Sequence, residues 1–471
     1  MMHDPWAREF PWGEVPIVVT GLGFGDEGKG ATVDALVRRL GIELVVRHNG
    51  GPQAAHHVVR EDGGVHCFAQ FGSGTLVPGV RTHLARDMLV EPLALGREAA
   101  ALARLGIAAP LERLTIDPGC VVVTPFHRLI GRMQELARGT GRHGSCGMGS
   151  GAAHVDAADP RMPTLRFAEL RGPTAALRSK LRLIQMIKLD RAEQLVEQRP
   201  ADPGLMLGMA EIGRPNLVDD ILTAYAPVVQ ALAVDDGEGL RAVLRDRPGR
   251  VIFEGAQGVL LDGYRGFWPY VTPSRTDASF AEALLTAADA PAPLRLWVLR
   301  AYATRHGPGP FVSEIAGMAA RVPERHNIEG RWQGPMRVGA FDLVAARHAL
   351  ELAASGAPGV DALVLTCLDR LAGLGPVPVC TAYCTPDGAV RERLEPPPAE
   401  RDAQAERSAG LMRCEPVLSE HAGWDQPGLP AAATRYARSL ADALERPLAG
   451  LAAGETAAGR CWAPSTRRRA D

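Results

Sequence analysis

A loop near the N-terminus combines the spacing of a phosphate-binding loop with an acidic pair. The segment GFGDEGKG (23–30) leads from an apolar run into a helical pattern and ends on Gly28, Lys29 and Gly30. Successive backbone N–H groups and a helix N-terminus can hold an anion there, and Lys29 adds a positive charge. Gly30 replaces the usual Ser or Thr that holds magnesium, so the nearest hard metal ligand is Asp26. Asp26 is therefore predicted to be a general base, a metal ligand, or both.

A second group of polar residues follows the apolar part of IELVVRHNGG (42–51). In VVRHNGGPQAAHHVV (45–59), Gln53 and His56 come after a Gly-rich turn. A histidine in that place can donate a hydrogen bond to a phosphoryl oxygen and stabilise charge as it develops. The same histidine could instead bond a carbonyl of the turn, and this segment alone does not separate the two interpretations.

A third polar group follows the apolar start of FEGAQGVLLDGYRGFWPYVTPSRTDA (253–278). Gln257 lies at the predicted strand exit, Thr272 lies in a Pro-bounded loop, and AYATRHGPGPF (301–311) adds Arg305. Hydroxyl and guanidinium groups suit a phosphate monoester, and a side-chain amide suits the edge of a heterocycle. These residues are predicted to bind a nucleotide substrate.

Apolar runs of strand length must position these residues. Such runs, each ending at polar and glycine residues, occupy residues 16–21, 42–51, 250–258, 294–309 and 361–371. This pattern is typical of buried parallel strands, whose functional residues follow their carboxyl ends. Helical periodicity between the runs predicts amphipathic helices at 175–199 and 341–356. The sequence therefore predicts an α/β fold, with one large domain around a mainly parallel β-sheet and helical insertions.

The composition excludes several classes of protein. The 471 residues carry a net charge of −2 and are 46% apolar, which allows a large core but gives no basic field for nucleic acid. No apolar run approaches the length of a membrane span, and the N-terminus lacks the apolar core of a secretion signal. The eight cysteines form no CxxC pair that would indicate zinc. We expect a cytoplasmic protein whose partners are small molecules, with no nucleic acid and no membrane.

Six motifs together resemble those of the adenylosuccinate synthetase family. They are GDEGKG (25–30), VVRHNGGPQAAH (45–56), FEGAQGVLLD (253–262), YVTPSRT (270–276), RAYATRHGPGPF (300–311) and LTCLDRL (365–371). The resemblance implies a single large α/β domain with a P-loop-like GTP site, in a homodimer that uses Mg²⁺. It also implies a GTP-dependent ligase that phosphorylates the 6-oxygen of IMP. The amine of aspartate then displaces that phosphoryl group, giving adenylosuccinate, GDP and phosphate.

The resemblance assigns roles to the residues that match its motifs. Asp26 would take the N1 proton of IMP and, with the carbonyl of Ala55, hold Mg²⁺, while His56 and Lys29 would act on the phosphates. Asp369 would accept the guanine N1–H and N2–H₂ edge, which implies GTP rather than ATP. The implied GTP contacts are Gly25, Glu27, Gly28, Lys29, Gly30, Asp369 and Gly454. The implied contacts to IMP or an analogue are Gln53, Ser145, Arg161, Gln257, Thr272 and Arg305.

The loop for the nucleotide monophosphate departs from the family pattern. In GSCGMGSGAAH (144–154), Ser145 replaces a threonine and Met148 replaces an arginine. Ser145 can still bond a phosphate, whereas Met148 cannot. Pro160 falls where the family has an arginine from the neighbouring subunit, and the adjacent Arg161 is the predicted substitute.

The loop for the amine donor departs further. In GRWQGPMRVGAF (330–341), two arginines that would clamp a dicarboxylate fall on Gly334 and Met336, while Arg331 and Arg337 remain. Two carboxylates normally need bidentate arginine partners. The change favours a less acidic or larger amine donor.

Three interpretations stay open at the level of sequence. The first is adenylosuccinate synthesis itself. The second is a paralogous ligase of specialised metabolism that uses a different amine donor or nucleotide analogue. The third is an idle nucleotide-binding protein, against which the retention of Asp26 and His56 argues. Cys367 adds to the divergence, because the family has a lysine beside the guanine at that place.

The predicted domain boundaries follow the motifs. Residues 1–15 are predicted to be an N-terminal extension, 16–460 the α/β domain, and 461–471 a basic tail. The Pro-rich and charged segment 385–415 has too weak a pattern for a structural prediction.

Overall fold

The computed structural model describes residue 6 and residues 8–326, 332–354 and 358–466. Its strands are β1 (Ile17–Gly21), β2 (Leu44–Arg47), β3 (His56–Val59), β4 (Val65–Phe68), β5 (Arg81–Leu84), β6 (Leu89–Val90), β7 (Leu114–Ile116), β8 (Val121–Val122), β9 (Ala233–Val234), β10 (Val251–Gly258), β11 (Leu294–Arg300), β12 (Ala303–His306), β13 (Met336–Gly339), β14 (Phe341–Asp342), β15 (Val360–Thr366), β16 (Val377–Cys384), β17 (Val390–Arg391), β18 (Glu415–His421), β19 (Leu448–Ala452) and β20 (Arg460–Trp462). Its α-helices are α1 (Lys29–Leu40), α2 (Pro92–Arg104), α3 (Pro125–Ala137), α4 (Ser150–Ala158), α5 (Thr174–Gln198), α6 (Pro203–Ile212), α7 (Leu217–Ala231), α8 (Glu238–Asp246), α9 (Ser279–Ala287), α10 (Met318–Arg321), α11 (Leu343–Ala353), α12 (Arg401–Leu411) and α13 (Ala431–Ala443).

The centre of the molecule is a mainly parallel sheet. Within the described residues it has ten strands in the order β20-β19-β15-β11-β1-β10-β2-β5-β7-β9. Its neighbouring strands are parallel except for β19 and β20, which are antiparallel. Strands β1 and β11 are buried over their whole lengths, as their aliphatic sequences require in a sheet covered on both faces. The predicted α/β fold around a mainly parallel sheet is confirmed.

A helical insertion forms a second core beside the sheet. The predicted long helix at 175–199 is α5, and it packs with α3, α6 and α7. Leu181, Ile184, Ile212 and Ile221 meet between these helices and are at most 3% exposed. The predicted helix at 341–356 is the shorter α11. These helical insertions match the predicted architecture.

The carboxyl edge of the sheet carries unusual backbone geometry. Strand β1 pairs in parallel with β10 and with β11, and β11 pairs in parallel with β15. The carboxyl ends of these strands therefore lie at the same edge of the sheet. There, Asp26, Gln257 and Cys367 adopt φ angles of 63°, 59° and 60°. This left-handed conformation is uncommon for residues other than glycine and often marks functional sites. All three residues line one cavity, which locates the candidate site.

Packing extends past both predicted domain boundaries. Phe10 and Trp12 are 0% and 5% exposed, and the Trp12 indole N–H donates to the carbonyl of Ala463 at 3.0 Å. Strand β20 crosses the boundary predicted at residue 460. The segments near both ends are therefore part of the packed domain, because each covers apolar surface on the other.

The weakly patterned segment 385–415 contains β17 and α12. In the described part of the chain, no helix is both long and apolar enough to cross a membrane.

Candidate active site

The phosphate loop links β1 to α1 and is braced by its own acidic residue. Glu27 Oε1 accepts hydrogen bonds from the backbone N–H groups of Gly23 and Gly25, at 3.0 and 2.8 Å. Glu27 Oε2 lies 2.6 Å from the Nζ atom of Lys29. The buried carboxylate of Glu27 therefore supports the loop, and the predicted contact of Glu27 with a nucleotide is left to its backbone. Gly25, Gly28 and Lys29 do line the cavity.

Neighbouring strands fix the loop backbone around Asp26. Arg300, the last residue of β11, donates from Nε to the carbonyl of Asp26 at 2.5 Å. Thr366, the last residue of β15, donates from Oγ1 to the carbonyl of Glu27 at 2.7 Å. These bonds hold Asp26 in its left-handed conformation, and its carboxylate remains partly exposed at the cavity.

Packing explains the glycine that replaces the usual hydroxyl residue of such loops. A Cβ atom at Gly30 would lie 2.5 Å from the Cβ of His56 and 2.8 Å from the Oγ of Ser73. Both distances are far below van der Waals contact. Position 30 is therefore glycine because the second polar segment approaches the start of α1 directly. This approach brings His56 to the phosphate loop.

His56 is held by a buried carboxylate. Its Nδ1 lies 2.6 Å from Oε1 of Glu254, and the other carboxylate oxygen of Glu254 accepts the backbone N–H of Ser73 at 2.9 Å. Burial lowers the pKa of His56 to about 4, although Glu254 opposes that shift. Burial alone would raise the pKa of Glu254, but Arg47, His56 and Ser73 outweigh it and bring the pKa to about 2. The pair is thus a neutral imidazole that donates its Nδ1–H to a carboxylate. The other ring nitrogen, Nε2, makes no bond to Glu254, and the His56 side chain lines the cavity.

A histidine that sequence reasoning passed over faces Asp26. Nε2 of His306, at the end of β12, lies 3.6 Å from Oδ2 of Asp26, and the histidine side chain is 10% exposed. Its Nδ1 is buried and has no hydrogen-bond partner among the described residues. His306 pairs in register with Met336 across β12 and β13. The signal in the sequence was its place directly after Arg305 in a motif already singled out.

The predicted contacts to the second nucleotide converge on the same cavity of about 480 Å³. Gln53, Ser145, Gln257 and Thr272 all line it. Ser150, at the start of α4, donates to Oε1 of Gln53 at 2.5 Å. Nε2 of Gln53 and Oε1 of Gln257 are buried without a hydrogen-bond partner in the described part of the chain. Because buried polar atoms are normally bonded, these two amides are placed to meet a ligand.

Arg305 also lines the cavity, but its donors are committed. Its Nε, Nη1 and Nη2 donate to the carbonyls of Pro308, Pro310 and Tyr270, at 3.1, 2.8 and 3.2 Å. The guanidinium lies 4.2 Å from the ring centroid of Phe24. Burial lowers the pKa of Arg305 to about 9. Arg305 therefore shapes the turn at 307–310, and three of its five N–H donors are engaged by backbone carbonyls.

Arg337 is committed in the same way. It donates to Oε2 of Glu314 from Nε at 2.9 Å and from Nη2 at 2.5 Å. Its Nη1 donates to the carbonyls of Gly307 and Gly309, at 3.2 and 2.9 Å. The cavity lining does not include Arg337, and its contact with the amine donor stays a prediction. Arg331, the other arginine predicted for this loop, lies outside the described residues.

The two divergent loops pack against each other. A Cβ atom at Gly147 would meet the indole ring of Trp332 at 2.8 Å. Arg132 and Arg142 lie 5.7 and 6.0 Å from the centre of that ring, at cation–π distance. Trp332 of the amine-donor loop thus packs directly against the nucleotide-monophosphate loop at Gly147.

Another part of the cavity lies at the end of β15 and in the loop between β19 and β20. Asp369 and Gly454 line it, as predicted, together with Cys367, Glu455 and Arg460. Burial raises the pKa of Asp369, and its nearby backbone amides, including that of Gly454, oppose the rise. The carboxylate and the loop therefore lie close enough to contact one ligand.

Arg161 lies away from these residues. Its side chain is 87% exposed, and it pairs with Asp159 through Nη2 at 2.8 Å. The cavity lining does not include it, so one subunit does not bring Arg161 to the nucleotide.

Comparison with known proteins decides the family. The family model described as adenylosuccinate synthetase matches residues 18–459. The chain belongs to this family. The adenylosuccinate synthetase of Azotobacter vinelandii is 32% identical over 437 residues, which cover 90% of this chain and 91% of that protein. The adenylosuccinate synthetase of a Cyanothece species is 33% identical over 457 residues, which cover 93% and 92%.

Solved structures share the fold of the adenylosuccinate synthetase family. The fully ligated adenylosuccinate synthetase of Plasmodium falciparum superposes with a TM-score of 0.73 at 19% identity, covering 95% of this chain and 99% of that one. The succinoaminodeoxyadenylate synthetase of cyanophage S-2L, bound to dGMP and to dATP as an energy donor, gives 0.55 at 16% identity, with 96% of each chain covered. At these identities the likeness establishes the fold.

The donor set at the phosphate loop suits a magnesium ion shared with a nucleotide. Among the described residues, no group of three or more His, Cys, Asp or Glu could hold a metal by itself. Mg²⁺ usually keeps several waters and binds one or two carboxylates together with substrate phosphates. Asp26 and the backbone at Ala55 both line the cavity beside the loop, which fits that requirement.

Proposed function

We propose that this chain is a GTP-dependent ligase that joins IMP and aspartate to give adenylosuccinate, GDP and phosphate. The observation that carries the proposal is one cavity lined by Asp26, Lys29 and His56, whose Nδ1 is held by the buried Glu254. Membership of the adenylosuccinate synthetase family supports the choice of substrates. A pure binding protein would need neither a carboxylate in the left-handed conformation nor a carboxylate-held histidine beside its phosphate loop.

The first chemical step uses Asp26 as a base. Asp26 takes the proton from N1 of IMP, and the electron pair moves to the 6-oxygen. That oxygen attacks the γ-phosphorus of GTP, the bond from that phosphorus to the bridging oxygen breaks, and GDP leaves. The amine of aspartate then attacks C6, the C6–O bond breaks, and phosphate departs as a proton is released. Phosphorylation is needed because an amide-like oxygen is a poor leaving group, and positioning with charge stabilisation supplies most of the catalysis.

The phosphates are held by the loop and by His56. The loop amides and the start of α1 face the anion, and Lys29 supplies a positive charge that Glu27 orients. Since Nδ1 of His56 donates to Glu254, its Nε2 must take up a proton to donate a hydrogen bond to the phosphoryl oxygen, so His56 acts there as an imidazolium. The role of Glu254 is to fix the orientation of the ring and to stabilise the charge on it when the phosphates bind.

The two nucleotides are assigned to different parts of the cavity. GTP would extend from the loop at Gly25, Gly28 and Gly30 to Asp369 and Gly454. IMP would contact the buried amides of Gln53 and Gln257, with Ser145 and Thr272 on its phosphate. Arg305 would support these contacts by shaping the turn at 307–310. We propose a cytoplasmic location on the basis of these nucleotide substrates.

Mg²⁺ is the proposed cofactor. Asp26 and the carbonyl of Ala55 would hold it together with phosphate oxygens of GTP. When bound, the ion would neutralise charge on the phosphates during transfer. The same carboxylate is thereby kept close to phosphates that would otherwise repel it.

A homodimer is the proposed assembly, in which Arg161 of the partner subunit reaches the phosphate of IMP. The exposed position of Arg161, outside the cavity of its own chain, supports this proposal. Mixing Asp26→Asn subunits with Arg161→Ala subunits tests it, because a hybrid dimer would regain one intact site. Activity that reappears on mixing two inactive variants supports the shared site, whereas an active Arg161→Ala variant alone contradicts it.

The activity itself is tested by following GDP release with GTP, Mg²⁺, IMP and a panel of amines. Turnover that requires both IMP and aspartate supports the proposal. Turnover with another amine but not with aspartate would instead support a paralogous ligase. No GDP release under any of these conditions would contradict ligase function.

A further inference from the structure

The part of the cavity lining that includes Asp369 also holds an arginine that the motifs did not single out. Arg460 is the first residue of β20 and pairs in register with Ala452 of β19. Both residues line the cavity with Asp369. Arg460 therefore stands at the base of the loop whose other side carries Gly454, and its charge interacts with that of Asp369.

Some N–H donors of Arg460 are not engaged by the described residues. Its Nη1 donates to the carbonyl of Thr456, which closes the loop. Its Nε is buried and lacks a hydrogen-bond partner within the described residues, and no carboxylate in that part of the chain forms an ion pair with it. A buried donor without an acceptor is costly. Burial also lowers the pKa of Arg460, as expected for a cation removed from water. An acceptor from a ligand would remove this cost.

The other arginines near this part of the lining are engaged with the protein. Arg300 forms an ion pair with Glu324. Arg325 pairs with Glu455 at 3.1 Å. Arg370 donates to the carbonyl of Pro323. Burial raises the pKa of the Cys367 thiol, so Cys367 supplies no charge of its own near pH 7. Among the arginines that line the cavity in the described part of the chain, Arg460 is the one with a buried nitrogen that lacks a hydrogen-bond partner.

We propose that Arg460 binds the O6 and N7 edge of the guanine of GTP and helps to select GTP over ATP. The inference rests on the proposed function and assigns it a further specificity-determining residue. Guanine presents two acceptors, O6 and N7, next to the N1–H and N2–H₂ donors that Asp369 would accept. The planar fork of an arginine matches that pair of acceptors. Adenine keeps N7 but places an amino donor where guanine has O6, and it lacks the N1–H and N2–H₂ donors. Arg460 would then lose one of its two acceptors and Asp369 both of its donors, so adenine is rejected.

Two variants and one analogue test this assignment. Arg460→Met keeps the length of the side chain and removes its donors, and Arg460→Lys keeps the charge without the fork. We expect Arg460→Met to raise the Kd and KM for GTP by about 10- to 100-fold, the value of a good bidentate contact to guanine. The KM for IMP and for aspartate, and kcat at saturating GTP, should change by less than about twofold. Arg460→Lys should recover only part of the lost affinity.

The analogue 7-deaza-GTP keeps O6 but lacks N7. The wild-type protein should bind it less tightly than GTP, and this difference should disappear in Arg460→Met. Equal binding of the two nucleotides by the wild type would overturn the bidentate contact even if the variants fail to fold. An equal loss of GTP and ATP affinity in Arg460→Met would also overturn it, because that result indicates a phosphate contact or a structural role. Arg435→Met, on the exposed face of α13, is the matched control.

Nucleotide affinities are measured without IMP or amine, so this test is separate from the test of the ligase. A wild-type protein that binds GTP over ATP but turns nothing over would contradict the proposed function and leave the contact of Arg460 measurable. A wild-type ligase whose GTP affinity is unchanged by Arg460→Met would contradict this inference alone.

Discussion

The phosphate-loop region (residues 23–30 with His56) and the amine-donor region (residues 303–310 and 332–341) differ in how their charged side chains are bonded. In the first region, Asp26 faces the cavity and His56 is oriented by Glu254 through one nitrogen only. In the second, Arg305 and Arg337 both donate hydrogen bonds to carbonyls of the turn at 307–310, and Arg337 also donates to Glu314. A charged side chain that lines a site thus contributes to ligand binding only when the fold leaves one of its polar atoms unclaimed.

This contrast also explains how the chain can diverge without losing its chemistry. The phosphate loop is fixed by hydrogen bonds from the ends of two strands, β11 and β15, and its Gly30 is imposed by the approach of His56. In the amine-donor region, Trp332 packs against Gly147 and lies at cation–π distance from Arg132 and Arg142.

The largest effect is expected for Asp26→Asn. The amide has the same shape but cannot take the N1 proton, so kcat should fall by at least about 1,000-fold. The Kd for GDP should change by less than about fivefold, because the loop amides and Lys29 are untouched. Steady-state kinetics and nucleotide titration measure the two quantities. Retained turnover in this variant would show that another group removes the proton.

Gly30→Ala should come next. The added methyl group collides with His56 and displaces it from the loop, and a misplacement of this kind can lower kcat by about 100-fold. Overpacking should also destabilise the fold by about 1–3 kcal/mol, measurable as a shift in denaturant midpoint. Gly410→Ala in α12 is the control, since no atom lies within 4 Å of a Cβ placed there. Normal activity in Gly30→Ala would mean that the approach of His56 does not constrain the site.

Glu254→Gln should lower kcat by about 10- to 100-fold. This range corresponds to the 1.5–3 kcal/mol of a hydrogen bond to a charged group. The substitution keeps the size of the side chain but removes the negative charge behind His56. Addition of His56→Gln to this variant should cost little more than His56→Gln alone, because the two residues act together. Fully additive losses in this double-mutant cycle would contradict the proposed orienting role.

Arg337→Met should have the smallest effect on catalysis. Its guanidinium is held by Glu314 and two carbonyls, so the KM for aspartate should change by less than about threefold. The exposed ion pair with Glu314 is worth about 1 kcal/mol of stability or less. Arg393→Met, which removes an exposed pair with Glu351, is the control. A tenfold rise in the KM for aspartate would show that Arg337 leaves Glu314 to clamp the donor.

The sequence was most informative where local rules apply. Apolar runs ending in polar residues located the sheet edge, and the spacing of 23–30 located the phosphate loop. The resemblance placed Asp369 and Gly454 in one site, and the structure brings both to the same cavity. These features depend on strand burial and loop geometry, which are readable along the chain.

Long-range packing supplied what the sequence did not indicate. The collision behind Gly30 involves residues 26 and 43 positions away, and the brace formed by the Glu27 carboxylate leaves its predicted nucleotide contact to the backbone. The commitments of Arg305 and Arg337 depend on which carbonyls a turn presents. His306 lies within a recognised motif, and Arg460 is the first residue of β20. Only the fold brings His306 beside Asp26 and Arg460 beside Asp369.

The fate of the 6-oxygen of IMP tests the central claim most directly. IMP carrying ¹⁸O at this position is turned over with GTP and aspartate, and the released phosphate is analysed by mass spectrometry. The account predicts one ¹⁸O atom in each phosphate formed by the wild type, and no labelled phosphate from Asp26→Asn over the same period. Unlabelled phosphate released together with adenylosuccinate would contradict attack of the 6-oxygen on GTP.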